Sequence, residues 1–149
     1  MFNPDQFLDM QITEANDTKL TPVPVGEYVA VIKEVKCRQW QSKQDPSKSG
    51  LTLDVTWSID DPAVKELLGR DKVTVRQGVL LDLTESGGLD MGKGRNVSLG
   101  RLREAVGLNT PGQPFSFSML VGRVAKVSVS HRIDGDNIYA EVKSVTKFV

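Results

Sequence analysis

Leu51-Thr52-Leu53-Asp54-Val55-Thr56-Trp57-Ser58-Ile59 alternates apolar and polar residues without a break. Successive side chains of a strand point to opposite faces, so Leu51, Leu53, Val55, Trp57 and Ile59 share a core face, while Thr52, Asp54, Thr56 and Ser58 look outward. A helix cannot collect residues spaced two apart on one side. The segment is a half-buried strand, and Trp57 belongs to the core.

Toward the N-terminus, Gln41 to Gly50 is polar and turn-rich, with Asp45-Pro46-Ser47, Lys43 and Lys48, as expected of a flexible loop. Before it, Glu27 to Trp40 alternates again. Val29, Val31, Val35 and Cys37 are expected inside, with Lys36, Arg38 and Trp40 outside. Residues 1–25 lack periodicity and end in Thr21-Pro22-Val23-Pro24-Val25-Gly26, whose prolines favour extended chain. They read as a lead-in arm to a domain over 26–149.

Toward the C-terminus, Asp61-Pro62 to Gly69 reads as a short helix, with an Asp N-cap, Pro at the first position and a Gly stop. Lys72 to Leu83 is a third strand. Val73 and Val75 point inward, and Gly78 marks an expected bulge before Val79, Leu81 and Leu83. A glycine-rich loop over 86–94 then leads to a helix over 98–106, with Leu99, Leu102 and Val106 on one face and Gly107 as its end. Leu120 to Arg132 and Asn137 to Lys147 form a hairpin around Asp134-Gly135.

The order is three strands, a helix, then two strands, with an extra short helix after the second strand. It suits a mainly β fold, the five-stranded Greek-key OB barrel, in which a helix between the third and fourth strands closes one end. Core residues fill such a barrel, so function is expected on the outward alternation. That selects Lys36, Arg38 and Trp40 on the first strand and Arg76 on the third. Lys126 and Arg132 follow on the fourth, then Tyr139 and Lys143 on the fifth. Lys43, Lys93 and Arg95 extend the set from loops, the glycines around 87–94 making the second of these mobile. Cations that track phosphates, mixed with aromatics that offer stacking faces, suit single-stranded nucleic acid. Asp54, on the same side, opposes phosphate binding.

Catalytic alternatives are thin. Gly87-Gly88-Leu89-Asp90-Met91-Gly92-Lys93 matches G-x-x-x-x-G-K, but Gly94 stands where a phosphate loop needs Ser or Thr for magnesium. His131 is the single histidine and Cys37 the single cysteine. Neither a metal cluster nor a triad can be assembled around them, and no cofactor is expected. Cys37, in step with Val35, is expected to be a small core residue. A lone cysteine and the lack of any long apolar run favour a reducing, cytoplasmic setting away from membranes.

The chain carries 19 basic and 19 acidic residues, so net charge gives no argument for a polyanionic partner. Its distribution is uneven. Asp5, Asp9, Glu14 and Asp17 face only Lys19 in the first 20 residues, whereas residues 33–132 hold 16 basic and 11 acidic side chains.

Phe2-Asn3-Pro4, Val25-Gly26-Glu27-Tyr28-Val29-Ala30, the helix from Leu99-Gly100-Arg101-Leu102 to Gly107, and Gly122-Arg123-Val124-Ala125-Lys126-Val127 form a set of loose patterns along the chain. Together they resemble bacteriophage-encoded single-stranded DNA-binding proteins with an OB-fold. The resemblance implies sequence-independent protection of single-stranded DNA in phage replication and recombination, without a cofactor. It also implies a host-cytoplasmic location, replication or recombination proteins as partners, and a possible homo-oligomer. The ending Thr146-Lys147-Phe148-Val149 departs from the acidic tip common in such proteins, so recruitment of partners through the C-terminus is not expected. A non-catalytic assembly protein of a virus particle is the competing expectation.

Overall fold

The computed structural model describes residues 3–148. Phe2, one of the residues carrying the resemblance, and the terminal Val149 lie outside them. The elements in chain order are α1 (Pro4–Phe7), β1 (Gly26–Gln41), β2 (Ser49–Ile59), α2 (Pro62–Leu68), β3 (Val73–Leu81), α3 (Val97–Ala105), β4 (Val124–Asp134) and β5 (Asn137–Thr146). The five strands form one mainly antiparallel sheet that closes on itself in the order β1-β2-β3-β5-β4, with β4 returning to β1. The closure of β3 against β5 is parallel and rests on a single bridge, Arg76 to Glu141.

The alternation in β2 is as expected: Leu53, Val55, Trp57 and Ile59 are buried. Trp57 is fully enclosed, and its indole Nε1 donates to Gln77 Oε1 at 2.9 Å, which satisfies the one polar atom it brings into the core. In β3, Val73, Val75, Val79 and Leu81 are buried in a single register against β2. The bulge expected at Gly78 is therefore absent: these positions are all odd-numbered and need no reset. Irregularities fall instead between Ile32 and Glu34 in β1, where Lys33 is the extra residue, and at Lys143 in β5, which has no partner between Ser128 and Val129 of β4.

The β1 bulge explains a correction. Ala30 and Ile32 face the core, while Val29 and Val31 are on the outer surface. Beyond the bulge the parity flips, so Val35 becomes the inner-side residue and Lys36, Arg38 and Trp40 keep their outward side. Cys37 shares the inner side with Val35 and pairs with Leu53, but on the stretch of β1 that β4 no longer flanks it is exposed rather than packed. The helices obey their signals. Asp61 Oδ1 accepts from the amides of Ala63 and Val64, and Gly69 closes α2 in the left-handed region at φ 65°. Leu99 and Leu102 of α3 enter the core with Ala105 and Val106. The fourth strand begins at Val124 rather than at residue 120, because Phe117–Leu120 forms a 3-10 turn that buries Leu120.

The distal arm is part of this fold. Val23 is only 3% exposed, and its carbonyl accepts from His131 Nε2 at 2.7 Å. Tyr28 Oη donates to the Pro24 carbonyl at 2.8 Å. Lys19 Nζ donates to the Asp136 carbonyl, and an Arg70 amine reaches the Thr21 carbonyl. Residues 18–23 thus lie where β3 and β5 diverge, beside an open cavity of about 620 Å³ that Arg70, Thr74 and 136–140 also line.

Candidate nucleic-acid interface

The cross-strand register assembles the outer face of β1, β2 and β3. Trp40 is opposite Gly50, Arg38 opposite Thr52 and then Leu80, and Lys36 opposite Asp54 and then Gly78. Gly50, Thr52 and Gly78 are the small residues of this face and form its floor. Trp40, Arg38 and Lys36 rise along β1, and Leu80 and Arg76 along β3. Leu80 is 58% exposed, an apolar side chain left on a surface that could have carried a polar one.

Trp40 lies against the floor. A Cβ placed on Gly50 would come within 2.8 Å of Trp40 Cζ2, so only glycine lets the indole settle this closely. The ring is half-buried, and its Nε1 has no hydrogen-bond partner among the described residues. A buried donor without a partner costs about 1–3 kcal/mol.

Four of the expected cations are already engaged. Arg38 Nε donates to Asp54 Oδ2 at 2.9 Å. That hydrogen bond first, and the carboxylate's charge second, raise the guanidinium's pKa further. Lys36 meets Glu34 at 3.3 Å, Arg95 meets Asp90 at 3.6 Å, and Arg132 meets Glu141 at 3.4 Å. Lys43, Arg76, Lys93, Lys126 and Lys143 have no acidic partner within 4.0 Å among the described residues.

Placement separates the eleven candidates. Lys43 occupies the β1–β2 turn, at the same end of the sheet as Trp40. The loop carrying Lys93 and Arg95 leaves β3 just after Leu81, which pairs with Leu51 next to Gly50. Arg76 links this face to β5 through its bridge with Glu141. There Arg132 holds its guanidinium 4.9 Å from the Tyr139 ring centroid while reaching Glu141. Lys143 lies two residues beyond Glu141, at the bulge where the β4–β5 register shifts, and is exposed. Lys126 does not join them. It pairs with Val29 of β1 and Thr146 of β5, seven residues along β1 from Lys36, or about 20 Å at the rise of a strand. The expectation of a shared face is corrected for Lys126 because the bent β1 serves two halves of the ring.

Sequence reasoning missed the floor and one loop organiser. Gly78 was assigned to a bulge, and Leu80 was hidden in the apolar run Val79-Leu80-Leu81; strict parity from Val73 would have turned both outward. Asn96 is buried at φ 53° and ties the loop to the sheet. Its Oδ1 accepts from the Asp82 amide, and its Nδ2 donates to the Asp82 and Asp90 carbonyls. The loop expected to be mobile is therefore fastened at both ends, with Thr84 and Gly88 also paired. Among the described residues no group of His, Cys, Asp and Glu could hold a metal, and no helix is long and apolar enough to cross a membrane. Compared with protein-family models and with curated proteins, the chain matches none.

Proposed function

We propose that this chain binds single-stranded DNA, without sequence preference and without catalysis, on the outer face of β1, β2 and β3. In this reading the closed sheet is an OB-type Greek-key barrel, whose second and third strands and flanking loops are the usual oligonucleotide surface. The observation that carries the reading is the outer face itself, on which the Trp40 indole lies against Gly50, Leu80 stands exposed and Arg76 has no acidic partner among the described residues. The half-buried indole offers a stacking surface, and Gly78, with only Thr52 Cγ2 within 4 Å of a Cβ built on it, leaves room on the same face. Lys43, Lys93 and Arg95 supply charge at one end, and Arg132 and Tyr139 at the other. Such a strand path serves protection of single-stranded intermediates in phage replication or recombination, in the host cytoplasm.

Asp54, Glu34 and Glu141 temper the field rather than abolish it. Each sits beside a cation that phosphate can capture by exchange, so binding is expected to be strongly salt-dependent. The test is a fluorescence-anisotropy titration of labelled oligo-dT across a salt series with duplex competitor. Tight, salt-sensitive binding that duplex competes poorly supports the assignment. Absence of binding at low salt overturns it and leaves protein assembly as the reading to pursue.

A further inference from the structure

Two unpartnered features of the chain complement each other. The first is an edge. β1 pairs with β4 only over Gly26–Val31, and beyond the Ile32/Glu34 bulge it pairs with β2 alone. From Glu34 to Gln41 the other side of the strand has no backbone neighbour among the described residues. A row of free amides and carbonyls of that length is a template for an added strand.

The second is the proximal arm. Leu8-Asp9-Met10-Gln11-Ile12-Thr13 alternates apolar and polar side chains with the period of a strand. The segment has no strand partner, and Leu8, Met10 and Ile12 are 84%, 54% and 72% exposed. The arm's first hydrogen bond to the body of the protein is made by Lys19, so nothing fastens residues 8–13 to their own sheet. Charge is complementary as well. Asp5, Asp9, Glu14 and Asp17 flank or interrupt the segment, whereas the free edge carries Lys36 and Arg38 against Glu34, with Lys33 just before it, and the arm's carboxylates can exchange for Glu34 and Asp54 at those two cations.

We infer that residues 8–13 of one copy add as a strand to the Glu34–Gln41 edge of β1 in a second copy. Leu8, Met10 and Ile12 then cover the half-open apolar side around Val35 and Cys37, and the arm's carboxylates meet the basic side chains of β1. Two copies that exchange arms reciprocally form a closed pair and leave neither edge free. The inference does not depend on the DNA reading, since the added strand is held by the edge of β1, although the arm's carboxylates reach Lys36 and Arg38 on the outer face.

Cys37 makes the test direct, because it is the single cysteine and lies on the edge in question. The full chain is sedimented over a concentration series, beside a variant carrying Leu8→Ser, Met10→Ser and Ile12→Ser. Those three side chains contribute nothing to the core, so the variant folds as the parent does, which its thermal transition checks. The expected result is a concentration-dependent dimer that the triple substitution converts to monomer. In parallel, Met10→Cys is treated with a short bismaleimide, and linkage of the introduced thiol to Cys37 is mapped after digestion. A covalent dimer on a denaturing gel supports exchange between copies. A monomer at all concentrations, or a 10-to-37 link found only within one chain, overturns it.

Discussion

Trp40 and Trp57 are the chain's two tryptophans, and they occupy opposite environments. Trp57 is enclosed and hydrogen-bonded, so its emission is deaf to ligands at the surface. Trp40 rests against Gly50 with a free indole donor, so a change in intrinsic fluorescence on adding oligo-dT reports Trp40 alone. Trp40→Ala is expected to weaken binding by about 1–3 kcal/mol, the worth of one stacked base, and to abolish that fluorescence response. Retention of full affinity in the titration removes Trp40 from the strand path. Tyr28 makes a different statement. Burial first, and the charge of Asp61 second, hold its phenol above the usual range, and it donates to the Pro24 carbonyl. A raised folded-state pKa means that this stabilisation is whole below the unfolded phenol's pKa and is lost as pH climbs through the folded one. Tyr28→Phe should cost about 0.5–1.5 kcal/mol at neutral pH. It should also flatten the alkaline decline in denaturant midpoint relative to the parent.

At the scale of elements, β3 is the strand on which both stability and binding turn. Its outer Gly78 has only Thr52 Cγ2, at 3.8 Å, near a Cβ built on it. Gly78→Ala should therefore leave the fold intact. Gly78→Glu places a second carboxylate beside Asp54 on the outer face, and at least a tenfold loss of oligo-dT affinity with an unchanged thermal midpoint is expected. The reverse pattern is expected at the seam between β3 and β5, which a single bridge closes and residues 18–23 cover. Val23→Ala removes buried apolar surface there, and denaturant titration should show a loss of up to about 1.5–3 kcal/mol, the value of burying the whole valine side chain. Affinity for DNA, measured on the folded protein, should barely move. These elements were legible to different degrees. Asp61, Pro62 and Gly69 act within their own helix, so α2 could be bounded from local signals. The arm could not, because Val23 is held by His131 of β4, 108 positions away.

For the whole molecule, equal numbers of positive and negative residues conceal an acidic arm and a more basic body. If Lys43, Arg76, Lys93 and Lys143 each meet one phosphate, the logarithm of affinity falls against log salt with a slope of about −3. That slope is roughly a 50-fold loss between about 50 and 200 mM, and a salt series on the anisotropy titration measures it. The Arg76→Ala variant should lessen the slope by about one phosphate's share, whereas Lys126→Ala, about 20 Å from Lys36 along β1, should not change it. Strand alternation, helix caps and the Asp134-Gly135 turn were determined by the sequence alone, because each depends on neighbours within a few residues. The outward side of Lys36, Arg38 and Trp40 agrees with the expectation only because the bulge resets the parity that Ala30 and Ile32 begin. The facing of Val29 and Val31, the exposure of Cys37, the isolation of Lys126 and the pairing of Arg38 with Asp54 were decided only by the tertiary structure. Each depends on where a bulge shifts the register or on which strand lies alongside, and those are properties of the closed sheet rather than of any segment in it.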